Sequence, residues 1–282
     1  MKNMDEYLSN FIDQAIAEDI GDGDHSSNCS IPADALGKMK LLAKEEGIIA
    51  GLDVFKKVFS RIDPEVEIEI KFQDGERVSP GDIVLYIEGR ERSLLRGERL
   101  ALNIVQRMSG IASKTDALKQ LIKGSRTQLL DTRKTTPNLR PLEKLAVKIG
   151  GGGNHRMGLY DMIMLKDNHV DFAGGVEIAI QKAKEYLKEN NLNIGIEVET
   201  RNFREIEQAL KSGGIQRLMF DNFSVEDTYK AVEMVNGQCE TESSGGITEE
   251  TIKAYSETGV DFISVGALTH SVKSLDLSLK AI

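Results

Sequence analysis

An α/β protein, with a small antiparallel domain ahead of a larger domain of βα units, is expected from three features of the chain. Between residues 36 and 90 the sequence reads as short strands separated by turn residues. From residue 128 onward, short apolar or β-branched runs alternate with polar helical stretches, the pattern of βα units around a parallel sheet. Nearly every one of those runs ends in a polar or glycine-rich group, where the loops of a βα barrel gather its ligand chemistry.

Length supports two domains, because 282 residues exceed the usual single-domain size. With 40% hydrophobic and 29% charged residues, the composition is that of a globular chain and too apolar for a disordered one. The formal net charge of -9 opposes binding to nucleic acid and to acidic membrane surfaces, both of which need a clustered positive field. Cys29 and Cys239 are far apart in sequence and form no CxxC motif, so a disulfide framework is not expected and a reducing compartment is. The N-terminal stretch MKNMDEYLSNFIDQAIAEDIG mixes acids into its apolar positions, which makes it an amphipathic helix and not a signal peptide. No window is apolar enough for a membrane span, and a cytoplasmic protein is expected.

Taken in order, GKMKLLAKEEGIIAG, VEIEIKF and IVLYIEG are the strands of the small sheet, with Asp74-Gly75 and Pro80-Gly81-Asp82 at its bends. The stretch from Leu95 spaces Leu102, Val105, Met108 and Ala112 helically, with Gly110 as a candidate break, and connects to the second domain. There the runs TQLL, MIML, IGIEV, RLMF, a run ending ESSGG, and DFISVG alternate with helices. Ser224 followed by Asp227 reads as a capping box opening one of them.

The candidate chemistry lies at the strand ends. Between Asp131 and His169 stand seven Lys or Arg residues against four acids, in a chain that is acidic as a whole. This local excess suggests an anion pocket, with Arg133, Lys134 and Lys166 directly after apolar strands, while Lys144 and Lys148 fit a solvated helix face. Glycines 150–153 followed by Asn154, His155 and Arg156 form a backbone that can approach a ligand; they fit neither GxGxxG nor the P-loop. Glu197 and Glu199 share one face of a strand. Glu199 with Asp221 offers hard oxygen ligands for Mg²⁺, and salt bridges to Lys134 or Lys166 are an equal alternative. Ser244-Gly245-Gly246 and Val265-Gly266-Ala267 end the last two strands, where βα barrels commonly bind phosphate. His25, His169 and His270 read as structural or solvated residues.

These segments together resemble the quinolinate phosphoribosyltransferase family over nearly the whole chain. The resemblance is carried by AIAEDIGDGD, DGERVSPGD, SLLRGERLALNIVQRMSGIA, the long block DTRKTTPNLRPLEKLAVKIGGGGNHRMGLYDMIMLKDNHV, and IEVE, FDNF, ESSGGIT and VGALTH. Asn138 and Leu145 depart from the family's frequent Gly and Tyr.

The resemblance implies an incomplete (β/α) barrel over 113–270, plus an N-terminal α/β sandwich-like domain over 1–112 joined by a C-terminal helix over 271–282. It implies Mg²⁺-dependent transfer of phosphoribosyl from phosphoribosyl pyrophosphate to quinolinate with decarboxylation, giving nicotinate mononucleotide, pyrophosphate and CO2 in de novo NAD biosynthesis. On this reading Arg133, Lys134, His155, Arg156 and Lys166 surround the quinolinate dicarboxylate, Thr132 is a further substrate-binding residue, and Asp131 orients Arg133 and Lys134. Glu199 and Asp221 hold Mg²⁺ and the ribose hydroxyls, and Lys134, Lys166, Glu199 and Asp221 form the catalytic set. Ser244, Gly245, Gly246, Val265, Gly266 and Ala267 hold the 5-phosphate. Arg99 reaches across the interface of a homodimer with shared active sites, a hexamer being the alternative. Two other readings stay open at this point: a Schiff-base enzyme using Lys134 or Lys166, and a binding protein on the same scaffold.

Overall fold

The computed structural model describes residues 4–282. The chain opens with helices α1 (Met4–Ile20) and α2 (His25–Ser30), strands β1 (Leu36–Ala43) and β2 (Gly47–Ile48), and helix α3 (Leu52–Ile62). Strands β3 (Glu67–Ile70), β4 (Arg77–Val78) and β5 (Ile83–Arg90) follow, then the long helix α4 (Glu91–Leu121), strand β6 (Gln128–Leu130) and helix α5 (Arg140–Ile149). Next come β7 (Ile163–Leu165), α6 (Asp167–Ala173), α7 (Val176–Glu189), β8 (Ile196–Thr200), α8 (Phe203–Ser212), β9 (Arg217–Asp221) and α9 (Val225–Val235). Strand β10 (Glu240–Ser244), helix α10 (Ile252–Glu257), strand β11 (Phe262–Ser264), helix α11 (Ala267–His270) and strand β12 (Leu277–Ala281) complete the chain.

Two compact units result. The first takes the described residues up to Asp116, with Thr135–Gly151 and Leu268–Ile282. Its sheet runs β12-β1-β5-β3 and is antiparallel, as the alternation in the sequence predicts. Met39, Leu41 and Ala43 of β1 face the core at every second position, and β5 adds Val84, Leu85 and Ile87. Helix α3 lies in a stretch to which the sequence reading assigns no element. Val54, Phe55, Val58 and Phe59 gather on its apolar face and are buried. The segment 271–282, expected to be a helix, instead ends in strand β12, paired with β1. The reason is a period of two: Leu275, Leu277 and Leu279 are buried, with polar residues between them. Thr135–Gly151, assigned by the sequence to the barrel, belongs to this first unit. Its helix α5 is enclosed around most of its circumference, so Lys144 is fully buried and not on a solvated face; Lys148 is exposed as expected.

The second unit comprises Ala117–Lys134 and Gly152–Ala267. Its six strands run in the order β6-β11-β10-β9-β8-β7, with parallel pairing throughout. The first strand lies beside the last, yet β6 and β7 do not pair, so the barrel stays open between them. A parallel bridge from Leu130 to Gly153 carries the loop before β7 along that free edge of β6. All five residues of β8 are buried, which is how a parallel sheet covered on both faces reads. Ser224 caps α9, its hydroxyl accepting the Asp227 amide at 3.0 Å, while the Asp227 carboxylate accepts the Ser224 hydroxyl and not its amide as a full capping box would. Among the described residues no helix is long and apolar enough to cross a membrane.

Gly110 does not break α4. It lies inside the helix where a Cβ would come within 2.2 Å of the Lys273 carbonyl oxygen, so glycine there answers to close backbone approach. Gly110→Ala should therefore lower the thermal unfolding midpoint. Overpacking of about 1–3 kcal/mol should outweigh the roughly 1 kcal/mol that alanine gains in helix propensity. A midpoint at or above the parent value would show that the contact relaxes.

Candidate active site

Asp131 directly follows β6 and is fully buried. Its Oδ1 accepts the His155 amide at 2.9 Å and its Oδ2 accepts Asn154 Nδ2 at 2.5 Å. These two bonds anchor the glycine-rich loop to the end of β6. The Thr132 hydroxyl accepts the Lys134 amide at 3.0 Å and shapes the turn that carries both cations.

Arg133 and Arg156 come close enough for their charges to act on one another. Arg156 is held below its usual arginine value by burial first and by the Arg133 charge second. Its guanidinium donates to the Met162 carbonyl at 3.1 Å, while the buried Nε of Arg133 has no hydrogen-bond partner among the described residues. Two guanidiniums that feel each other's charge, one with a buried unsatisfied donor, make a site that an anion would complete.

Lys166, after β7, stands 3.1 Å from Glu199 Oε2 on β8, so the ion-pair alternative is realised for this acid. Glu199 pairs in register with Met219, and Asp221 lies two residues further along β9 on the same face. Their carboxylates are the hard oxygen donors Mg²⁺ takes, which makes the pair chemically suited to that ion. Asp221 also accepts Asn222 Nδ2 at 2.8 Å. The Asn222 amide donates to the Ser244 carbonyl at 2.8 Å, and a Cβ at Gly245 would lie 2.2 Å from Asn222 Oδ1. With φ of 96°, Gly245 is required both by conformation and by this packing, which locks the turns after β9 and β10 together. Val265 and Gly266 follow β11 and lead into α11.

His155 is buried, and both ring nitrogens have protein partners. Nδ1 receives the Arg156 amide at 2.7 Å, and Nε2 lies 3.0 Å from Glu197 Oε2 and 3.5 Å from Glu242 Oε2. Glu242, on β10, also holds Arg217 Nη1 at 2.9 Å. Neither Glu242 nor Arg217 stood out in the sequence. The available signal was weak: Glu240 and Glu242 alternate along a strand buried on both faces, as Glu197 and Glu199 do. His169 Nδ1 accepts the Lys166 amide at 3.0 Å, a local structural role. Arg99 lies exposed on α4, outside the unit that carries the other candidates.

Comparison with known proteins agrees with this organisation. Residues 111–280 match the quinolinate phosphoribosyl transferase C-terminal domain, and residues 24–109 match its N-terminal domain. The chain is similar to quinolinate phosphoribosyltransferase [decarboxylating] 1b of Nicotiana tabacum, at 43% identity over 97% of this chain and 82% of the relative. It is 40% identical to the probable nicotinate-nucleotide pyrophosphorylase [carboxylating] of Bacillus subtilis, over 96% of this chain and 92% of that one. In three dimensions it resembles the crystal structure of NadC from Streptococcus pyogenes. The TM-score is 0.92 at 42% identity, covering 98% of this chain and 97% of that one. Matched in both of its domains and along nearly its full length, the chain belongs to the quinolinate phosphoribosyltransferase family.

Proposed function

We propose that this protein transfers phosphoribosyl from phosphoribosyl pyrophosphate to quinolinate and decarboxylates the adduct to nicotinate mononucleotide, a step of de novo NAD biosynthesis. The observation that carries this reading is the Arg133–Arg156 pair with the unpartnered buried Nε of Arg133, in a unit that also carries Lys166 after β7. A planar dicarboxylate supplies the oxygens these donors lack. The names of the relatives point to the same reaction.

The chemistry follows from charge. Lys and Arg side chains bring together two anionic reactants that repel each other. The pyridine nitrogen attacks ribose C1 as the bond to pyrophosphate breaks, the leaving group keeping the electron pair. Positive charge building on the sugar is stabilised by Glu199 and Asp221. The quaternised ring then accepts the electron pair of the bond to its 2-carboxylate, CO2 departs, and the ring carbon takes up a proton. Mg²⁺, when held by Glu199 and Asp221, supplies neutralising charge for the pyrophosphate. The Ser244–Gly246 and Val265–Ala267 turns receive the 5-phosphate. A Schiff-base role for Lys166 is disfavoured, since its side chain is 46% exposed and paired with Glu199, where such a lysine needs a desolvated pocket. Cytoplasmic action suits a chain whose Cys29 and Cys239 are both free thiols.

Purified protein given Mg²⁺, quinolinate and phosphoribosyl pyrophosphate should release CO2 and nicotinate mononucleotide. A folded sample that yields neither product sinks the reading. Arg133→Ala should reduce kcat/KM for quinolinate about 30- to 100-fold, the scale of a lost charged hydrogen bond. Its unfolding midpoint should hold or rise, because the substitution removes an unpartnered buried donor and a like-charge neighbour; full retention of activity would refute the role of Arg133. If Arg99 serves the site of a partner subunit in a homodimer, mixing and reassembling the inactive Arg99→Ala and Arg133→Ala proteins should restore about a quarter of parent activity, since half the dimers then hold one intact site. No recovery on mixing would remove Arg99 from a shared site.

A further inference from the structure

Beneath the cations, the inner face of the parallel sheet carries a second charged cluster with no part in the chemistry above. Glu197 of β8, Arg217 of β9 and Glu240 of β10 stand abreast in register, and Glu242 follows two residues along β10. Arg217 Nη1 lies 2.9 Å from Glu242 Oε2, Nη2 lies 2.9 Å from Glu240 Oε2, and the guanidinium rests 3.9 Å above the Phe262 ring. His155, Glu197 and Glu242 are all buried, and their ligand atoms lie within 4.8 Å of one another. That spacing would suit a metal, but Arg217 already supplies the positive charge at Glu242, and a divalent ion there would have to sit beside a buried guanidinium.

Hydrogen bonding fixes the state of the imidazole. Nδ1 accepts the Arg156 amide and so keeps its lone pair, which leaves the ring N–H at Nε2, aimed at the two carboxylates. Burial opposes a charged imidazole, while the Glu197 hydrogen bond and the Glu242 charge favour one, and on balance the ring's hold on a proton is raised. The Nδ1 lone pair is committed to the amide, and the Glu242 carboxyl is the other group in the cluster that burial affects. Burial first, and the Glu197 charge second, push this carboxyl upward.

We infer that Glu197 is a positioning residue: it holds His155 by its Nε2–H from below, with Glu242 beside it at 3.5 Å, so that Nδ1 receives the Arg156 amide and sets the backbone from which the Arg156 guanidinium reaches the dicarboxylate. This rests on the assignment of Arg156 to the quinolinate site. Asp131, holding the His155 amide from the β6 side, completes the clamp on the loop.

Glu197→Leu should raise KM for quinolinate at least about tenfold, as displacement of a binding group does, while KM for phosphoribosyl pyrophosphate stays within about twofold. Glu242→Gln, which resembles the protonated carboxyl and keeps an acceptor, should stay near parent values for both. Should Glu197→Leu fail to fold, ¹⁵N NMR decides. With His25, His169 and His270 replaced by Gln, His155 is the remaining imidazole, and its spectrum should show Nε2 protonated and Nδ1 bare between about pH 6 and 8. A ring protonated at Nδ1, an unchanged quinolinate KM in folded Glu197→Leu, or equal rises in both KM values would overturn the inference. Failure of the parent protein to turn over quinolinate would instead strike the functional reading, with the tautomer measurement still standing.

Discussion

The site depends on one buried carboxylate. Asp131 is wholly withdrawn from water, and such a group is tolerated only when its oxygens are satisfied. Its two bonds to Asn154 and His155 do this, and in doing so they tie a loop of glycines to the end of β6. Chain that would otherwise be free is thereby held along the open edge of the barrel. Every later feature of the anion site is built from that anchorage: the imidazole, the amide of the next residue, and the guanidinium beyond it.

A second constraint follows from covering both faces of a parallel sheet. Polar side chains on the inner face cannot turn to solvent, so they must find one another. Towards the N-terminal ends of the strands they do so as the Glu197, Arg217, Glu240 and Glu242 cluster. At the C-terminal ends the balance changes. Lys166 has Glu199, but Arg133 and Arg156 face each other's charge. His155 joins the network below to the one above.

Much of this was legible in the sequence. The antiparallel and parallel sheets followed from periods and turn residues, and the placement of Arg133, Lys166, Glu199 and Asp221 followed from their position after apolar runs. Three things were not legible, each for a physical reason. The strand Leu277–Ala281 is short, and its alternation spans too few residues to exclude a helix before its partner β1 is known. Lys144 sits on a helix whose enclosure depends on residues remote in sequence. Glu242 and Arg217 acquire meaning only from strand order, which brings residues more than twenty positions apart into contact. Gly110 shows the same limit in reverse, since its close neighbour Lys273 is far along the chain.

The rung of Glu197, Arg217 and Glu240 also bears on how the sheet assembles. Parallel strands have no hairpin turn to set their alignment, and a two-residue slip keeps every side chain on its proper face. Here such a slip is not silent. Sliding β8 or β10 against β9 one way sets Glu197 or Glu240 opposite Met219, with Glu199 or Glu242 opposite Asp221, acid against acid; sliding it the other way leaves Glu197 or Glu240 beside Ile215, while Glu199 or Glu242 comes opposite Arg217. The charges thus set a cost on either slip, an acid pair in one direction and an acid stranded beside an apolar side chain in the other, which hydrophobic burial alone does not impose.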